Sequence, residues 1–140
     1  MRYWIIALPR EDMEHCIRIQ TFGMNRRGQL AKVEAGDGVV CYVVKDRKII
    51  GLGEVTDPYY LDDSNVFLKD GVFPDRFKFK AKQFKRNDEF DFMEVVDKLD
   101  FIKKPEHWSV YLRNGFAELT KKDWDLVCKK TNCEPIACDT

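Results

Sequence analysis

The stretch from Gly36 to Val55, GDGVVCYVVKDRKIIGLGEV, constrains the fold more than any other part of the chain. It reads as a polar turn, a strand, a reversal and a second strand. Val39 to Val44 is apolar at every position, which predicts a strand with both faces buried. Lys45-Asp46-Arg47-Lys48 supplies the reversal. By the two-residue period of a strand, Ile49, Gly51, Gly53 and Val55 share one face and Ile50, Leu52 and Glu54 the other. Glycines at alternate positions mean that something approaches the backbone closely, or that the strand coils sharply. A small, tightly curved barrel requires that, and so does a ligand pocket.

The 140 residues amount to one domain, large enough for its own core. Arg2 to Leu8 reads as a strand rich in aromatic and β-branched residues. Pro9 ends it and opens a helix to about Gln20, with Glu11 and Asp12 in the first turn and Met13, Cys16 and Ile17 inward. Thr21 to Met24 breaks that pattern as a loop, and Asn25 caps a short helix over residues 26–32. After the central hairpin, Asp57 to Ser64 reads as a loop that continues irregularly through Gly71. From Arg76 to Lys82 alternation is strict: Phe77, Phe79 and Ala81 point inward, and Arg76, Lys78, Lys80 and Lys82 form an outward basic stripe. Asp91 to Leu99 has helical spacing. Trp108 to Leu112 is expected to pair with Phe116 to Leu119 across the turn dipeptide Asn114-Gly115. Thr120 and Asp123 form a capping box for a last helix with Trp124, Val127 and Cys128 inward. The order of elements predicts an α+β fold, a small, mostly antiparallel barrel with helices packed at its edges and ends. A single domain over residues 1–130 is followed by a tail, 131–140, that reads as loose.

The formal net charge is zero, so attraction to a polyanion has to come from local charge. The apolar opening meets Pro9 too soon for a signal peptide or a membrane span, which predicts a cytoplasmic protein with no membrane partner. Five cysteines are present. Cys16 and Cys41 fall on apolar faces, where a reduced cysteine acts as a small hydrophobe. Cys128, Cys133 and Cys138 follow a C-x4-C-x4-C spacing that matches no recurrent zinc site, so no metal is expected. Phosphate-loop, dinucleotide, zinc-protease and nucleophile-elbow motifs are absent, so no cofactor and no catalytic residue is expected. Aromatic residues beside loops carry more information. Phe22 precedes Gly23, Tyr59 and Tyr60 follow Pro58, and Trp108 follows the loop at Pro105. With the basic stripe, they suggest a ring-binding pocket beside a phosphate-tolerant surface.

Several short strings, in order along the chain, resemble the EVE domain. They are Tyr3-Trp4-Ile5-Ile6, Thr21-Phe22-Gly23-Met24, Val33-x-x-Gly36-Asp37, Ile50-Gly51-Leu52-Gly53-Glu54-Val55, Phe73-Pro74-Asp75-Arg76-Phe77, Trp108-Ser109 and Leu119-Thr120-x-x-Asp123-Trp124. The resemblance runs from Met1 to about Lys130. It implies a PUA-like fold, related to the YTH readers of methylated adenine. It also implies a non-catalytic pocket for a flipped-out, modified base in DNA or RNA.

Carried over by position, the resemblance places Phe22 where the family usually has a tryptophan of an aromatic cage. Gly23 and Met24 follow it, and the Gly23 carbonyl would accept from an exocyclic amine. Leu8 and Pro9 stand at the end of the first strand, where relatives line the pocket, although Pro9 has no N–H to donate. Tyr59 or Tyr60 would supply the opposite wall, and Trp108 and Ser109 the floor. Arg76 would contact phosphate or a base edge, and Lys78, Lys80 and Lys82 would track the backbone. On this reading Phe22→Ala lowers affinity by about 1–3 kcal/mol and leaves the fold intact. The alternatives are a hydrolase of modified nucleosides, as in the related ASCH group, and a plain RNA-binding module.

Overall fold

The computed structural model describes residues 1–131 of the chain. The central stretch forms β3 (Gly38–Val43) and β4 (Lys48–Leu61), joined by a turn in which Lys45 and Arg47 take positive φ. Around this hairpin the sheet runs β2 (Thr21–Met24), β5 (Asp75–Gln83), β4, β3, β1 (Tyr3–Leu8), β7 (Phe116–Leu119). A two-residue strand, β6 (Phe90–Asp91), pairs with β4 off that path. Among the described residues only β1 and β3 run parallel, in the register Tyr3↔Gly38 to Leu8↔Val43. The crossover between them contains α1 (Arg10–Ile19), as a parallel pair requires.

Every residue of β3 is buried, and its alternation feeds two cores. Val39, Cys41 and Val43 join Trp4, Ile6, Phe22, Phe77 and Phe79 inside the curl of the sheet, which Met13 and Cys16 of α1 plug. Val40 and Tyr42 join Ile5 and Leu52 on the outer face. Trp124 and Val127 of α2 (Lys121–Thr131) cover that face, together with Phe92 and Leu112 from short 3-10 segments and Leu99 just after one. The result is the expected α+β, PUA-like curved barrel.

Within the β3–β4 hairpin the strand period breaks at one place. Cys41 pairs with Gly51 but Tyr42 with Ile49, so Ile50 is an extra residue, a bulge that reverses the facing of the strand. Ile49 and Leu52 therefore share the outer core, while Ile50 and Val55 share the inner one, against the strict alternation expected. The two glycines answer to close backbone approach. A Cβ on Gly53 would lie 2.2 Å from the Lys80 carbonyl oxygen, and one on Gly51 2.8 Å from that of Lys82. The close neighbour is the β5 backbone.

Other expectations need correction. Thr21 to Met24 is a strand, because β5 offers it an open edge. β4 continues through Asp57-Pro58-Tyr59-Tyr60 to Leu61, with register shifts that absorb the proline. Residues 91–99 form two 3-10 turns, Phe92–Glu94 and Val96–Lys98, and no α-helix. Trp108 to Leu112 belongs to the 3-10 stretch Pro105–Leu112, kinked at His107, since β7 takes β1 as its partner instead. Asn25 caps nothing; the short 3-10 helix Gly28–Lys32 follows Arg27.

Two buried carboxylates staple the ends of elements. Asp37 is 1% exposed and accepts from the Arg2 N–H, the Trp4 Nε1–H and the Glu34 N–H at 2.9–3.0 Å. Asp123 accepts from the N–H groups of Asp100, Phe101 and Thr120, while its own N–H donates to Thr120 Oγ1 at 3.1 Å. The predicted capping box thus also fixes the segment before it. Thr131 ends α2 buried, its hydroxyl donating to the Cys128 carbonyl. The remainder of the predicted loose tail, with Cys133 and Cys138, lies outside the described residues.

Candidate functional site

Leu8 ends β1, and Pro9 turns the chain into α1 with φ −57° and ψ 153°. Its carbonyl accepts the Met13 N–H at 2.9 Å, so the missing N–H costs the helix nothing. Arg10 pins this corner through a forked pair to Glu89 at 2.8 and 2.9 Å and a bond to Asp46 at 2.9 Å. Those bonds, Glu89 first, hold the guanidinium firmly in its charged form. At the other end of α1, Gln20 adopts the left-handed conformation and delivers the chain straight into β2. Phe22 then pairs with Phe77 and Gly23 with Arg76.

Arg76 builds the wall opposite. It is 1% exposed, and its guanidinium is spent on the loop that joins β4 to β5. Nε donates to the Phe73 carbonyl at 3.0 Å, and Nη2 to the Val72 carbonyl at 2.8 Å and to the Ser64 carbonyl. Nη1 donates to Ser64 Oγ at 2.9 Å and lies 3.4 Å from Asp62 Oδ1. The same group stacks over the Phe67 ring, 4.9 Å from its centroid. From α1, His15 Nε2 bonds the Val66 carbonyl at 2.7 Å. Asp62, which accepts from the Ser64 N–H, is held below the usual carboxylate range by that bond. The loop is therefore tied at Asp62, Ser64, Val66, Val72 and Phe73 to two side chains of the body.

Gly23 completes the fit. A Cβ there would meet two ring carbons of Phe67 at 2.7 and 2.8 Å and the Phe73 carbonyl oxygen at 2.8 Å. Only a glycine lets the Phe67 ring lie against β2.

Between these walls lies an open groove of about 470 Å³, running from Leu8 and Pro9 past Phe22, Gly23 and Met24 to Arg113, Asn114 and Gly115. A slot of about 70 Å³ continues it inward, sharing Leu8, Phe22, Gly23, Lys69 and Phe73 and adding Phe67, Asp12, His15 and Cys16. Phe22, Phe67 and Phe73 give the slot three aromatic walls, and Phe67 meets Phe73 edge-on at 5.9 Å. Cations stand around the mouth: Arg26, Arg113 and Lys69, the last 5.9 Å above the Phe73 ring. Among the described residues these three make no ion pair. The exposed side chains of Asn25 and Asn114 supply amides to the same groove. Cys16 is no nucleophile here, since burial pushes its thiol up to about 12.

Of the residues singled out in the sequence, the structure brings Leu8, Pro9, Phe22, Gly23 and Met24 together in this groove. Phe22 stands mostly behind it, 2% exposed within the inner core. Tyr59 and Tyr60 line a separate shallow hollow with Asp57, Pro58 and Lys78. There the Tyr59 hydroxyl donates to Asp75 Oδ1 at 2.6 Å, which raises its pKa, and Arg27 lies over its ring at 5.4 Å. Trp108 packs on Phe92 at 5.7 Å against the outer core, and neither it nor Ser109 lines the groove. Arg76 points into the loop it organises. Lys78, Lys80 and Lys82 are exposed on β5, where the register sets Asp57 opposite Lys78 and Glu54 opposite Lys80. Sequence reasoning passed over Phe67, Phe73, Lys69, Arg26 and Arg113. The available signal for the first two was a pair of phenylalanines in the loop that leads to Arg76 on a buried strand.

A family model described as the EVE domain matches residues 2–130. UPF0310 protein PH1033 from Pyrococcus horikoshii is 30% identical over 143 residues, spanning 92% of this chain and 98% of its own. Rpa0253 from Rhodopseudomonas palustris, solved by NMR, has a TM-score of 0.67 at 15% identity over 94% of both chains. The Mmi1 YTH domain, crystallised in complex with RNA, has a TM-score of 0.63 at 12% identity over 94% of this chain and 77% of its own. At such identities the two structures speak for the fold.

Proposed function

This chain belongs to the EVE domain family, and on that premise we propose that it is a nucleic-acid-binding module that holds one extruded, methylated base in the groove. The observation that carries the reading is the aromatic slot of Phe22, Phe67 and Phe73 opening into a groove ringed by Arg26, Lys69 and Arg113. Extruding a base costs a few kcal/mol, and stacking on an aromatic face returns about 1–3 kcal/mol per base. A slot this small and apolar suits the methyl-bearing edge of a ring, with the rest of the nucleoside in the wider groove. The amides of Asn25 and Asn114, the Asp12 carboxylate and the backbone of Gly23 stand where base edges can be read. The three rim cations meet the flanking phosphates, which position without specifying. Lys78 and Lys80 suit that role less, with acids opposite them in the register.

Binding fits the slot better than catalysis. His15 already bonds the Val66 carbonyl, and Cys16 is held as a thiol. The similarity to a YTH domain solved with RNA supports a nucleic-acid ligand for this groove too. Titration of the protein against matched DNA and RNA oligonucleotides, with and without one methylated cytosine or methylated adenine, tests the reading. A preference for one modified oligonucleotide is the result expected. Equal binding of all, or of none, would overturn it.

A further inference from the structure

The loop between β4 and β5 exposes more apolar surface than its surroundings. Among the described residues, large hydrophobic side chains are exposed at Met1, Leu61, Val66, Leu68, Val72 and Val110, so most of them fall within residues 61–72. A single exposed leucine needs no explanation; a cluster beside a groove does. Nor is this surface on a slack segment, because Arg76 and His15 hold the loop at both ends and in its middle. Leu68 stands at the critical place. It is 54% exposed and also reaches the slot lining. Its neighbours are Phe67, a slot wall, and Lys69, a rim cation. One tripeptide thus presents an aromatic wall, an apolar tip and a charge in succession.

A base drawn out of a duplex leaves a gap, and the flanking pairs lose stacking. Proteins that distort duplexes fill such gaps with apolar side chains. We propose that Leu68 is a wedge of this kind: it enters the stack of a double-stranded nucleic acid at the position vacated by the base held in the slot. Lys69 then meets the phosphate beside the gap, with Arg26 and Arg113 lining the same groove. The charge of the occupant follows from these three cations, which have no ion-pair partner among the described residues. Its double-stranded form follows from the apolar tip, since a single strand has no gap to fill.

The inference rests on the reading of the groove given above, and the experiment separates the two. The full chain and its Leu68→Ala and Leu68→Phe variants are titrated with a duplex carrying one methylated cytosine or methylated adenine, and with the same modified strand alone. Leu68→Ala should lose about tenfold more affinity for the duplex than for the single strand. Leu68→Phe should keep duplex affinity within about threefold of the parent. Equal losses on both ligands would make Leu68 a slot wall and overturn the wedge, as would no loss on either. Single-strand binding by the parent without duplex binding would overturn the wedge and leave the base-binding reading standing. Binding of neither ligand by the parent would overturn both.

Discussion

Phe22 on β2 stacks on Phe116 on β7, with ring centroids 5.8 Å apart and planes at 22°. These strands are the two ends of the sheet path, so the contact marks where the curl closes. Both rings also touch Phe77, at 5.5 and 6.0 Å, and Phe116 stacks on Trp4 at 4.9 Å. One aromatic cluster therefore seals the barrel and backs the slot.

Phe22→Ala should for that reason destabilise the protein by about 3–5 kcal/mol, read from the shift of a urea unfolding midpoint. The expectation from resemblance, lost affinity with the fold intact, does not suit a side chain 2% exposed. Phe73→Ala is the cleaner probe of the slot, because that ring is only partly buried. It should weaken binding by about 1–3 kcal/mol while shifting the midpoint far less than Phe22→Ala.

Gly23→Ala should displace the Phe67 ring, which has no room for a methyl beneath it. The aromatic proton shifts of Phe67 and Phe73 should move, and affinity for the modified oligonucleotide should fall about tenfold. Unchanged ring shifts would show that β2 yields instead.

Arg76→Lys keeps a charge but cannot reproduce the fork that holds Ser64, Val72 and Phe73. Amide exchange should accelerate across residues 62–73, and binding should weaken with no change in its salt slope. In Arg76→Gln, which also removes the charge, a direct phosphate contact would lower the slope by about one, whereas a loop-positioning role leaves it unchanged.

How much of this could be read from the chain depends on how local the cause is. β3 and both helices are legible, because an apolar run, a proline start and a capping box are local signals. The bulge at Ile50 is not, since only the pairing of Cys41 and Tyr42 across the hairpin creates it. Trp108 to Leu112 shows the same limit: its residues favour a strand, yet the edge of β1 goes to Phe116–Leu119. Within the site, Phe22-Gly23 stands out as an aromatic–glycine pair. Phe67 and Phe73 do not, because their placement depends on a guanidinium that in sequence looks like one more member of a basic stripe.

Rim and stripe can be told apart by salt. Neutralising Arg26, Lys69 or Arg113 to Ala should each lower the slope of log affinity against log salt by about one. The same change at Lys78 or Lys80, which face Asp57 and Glu54 in the register, should leave it nearly unaltered.

Alkali offers a check on the cores. Burial raises both Cys16 and Tyr42 to about 12. Both neutral forms are therefore favoured in the folded state, and the stability they contribute is present below the unfolded values of about 8.5 and 10. It is lost progressively as the pH rises from those values towards the folded ones. The urea midpoint should fall above about pH 9, and less steeply in Tyr42→Phe than in the parent.

The most direct measurement is the affinity of this protein for one modified oligonucleotide against its unmodified twin, beside the same pair for Phe73→Ala. The account predicts tighter binding of the modified strand, and loss of that preference in the variant with the salt slope intact. Equal affinity for the twins, or a preference that survives in Phe73→Ala, would contradict it.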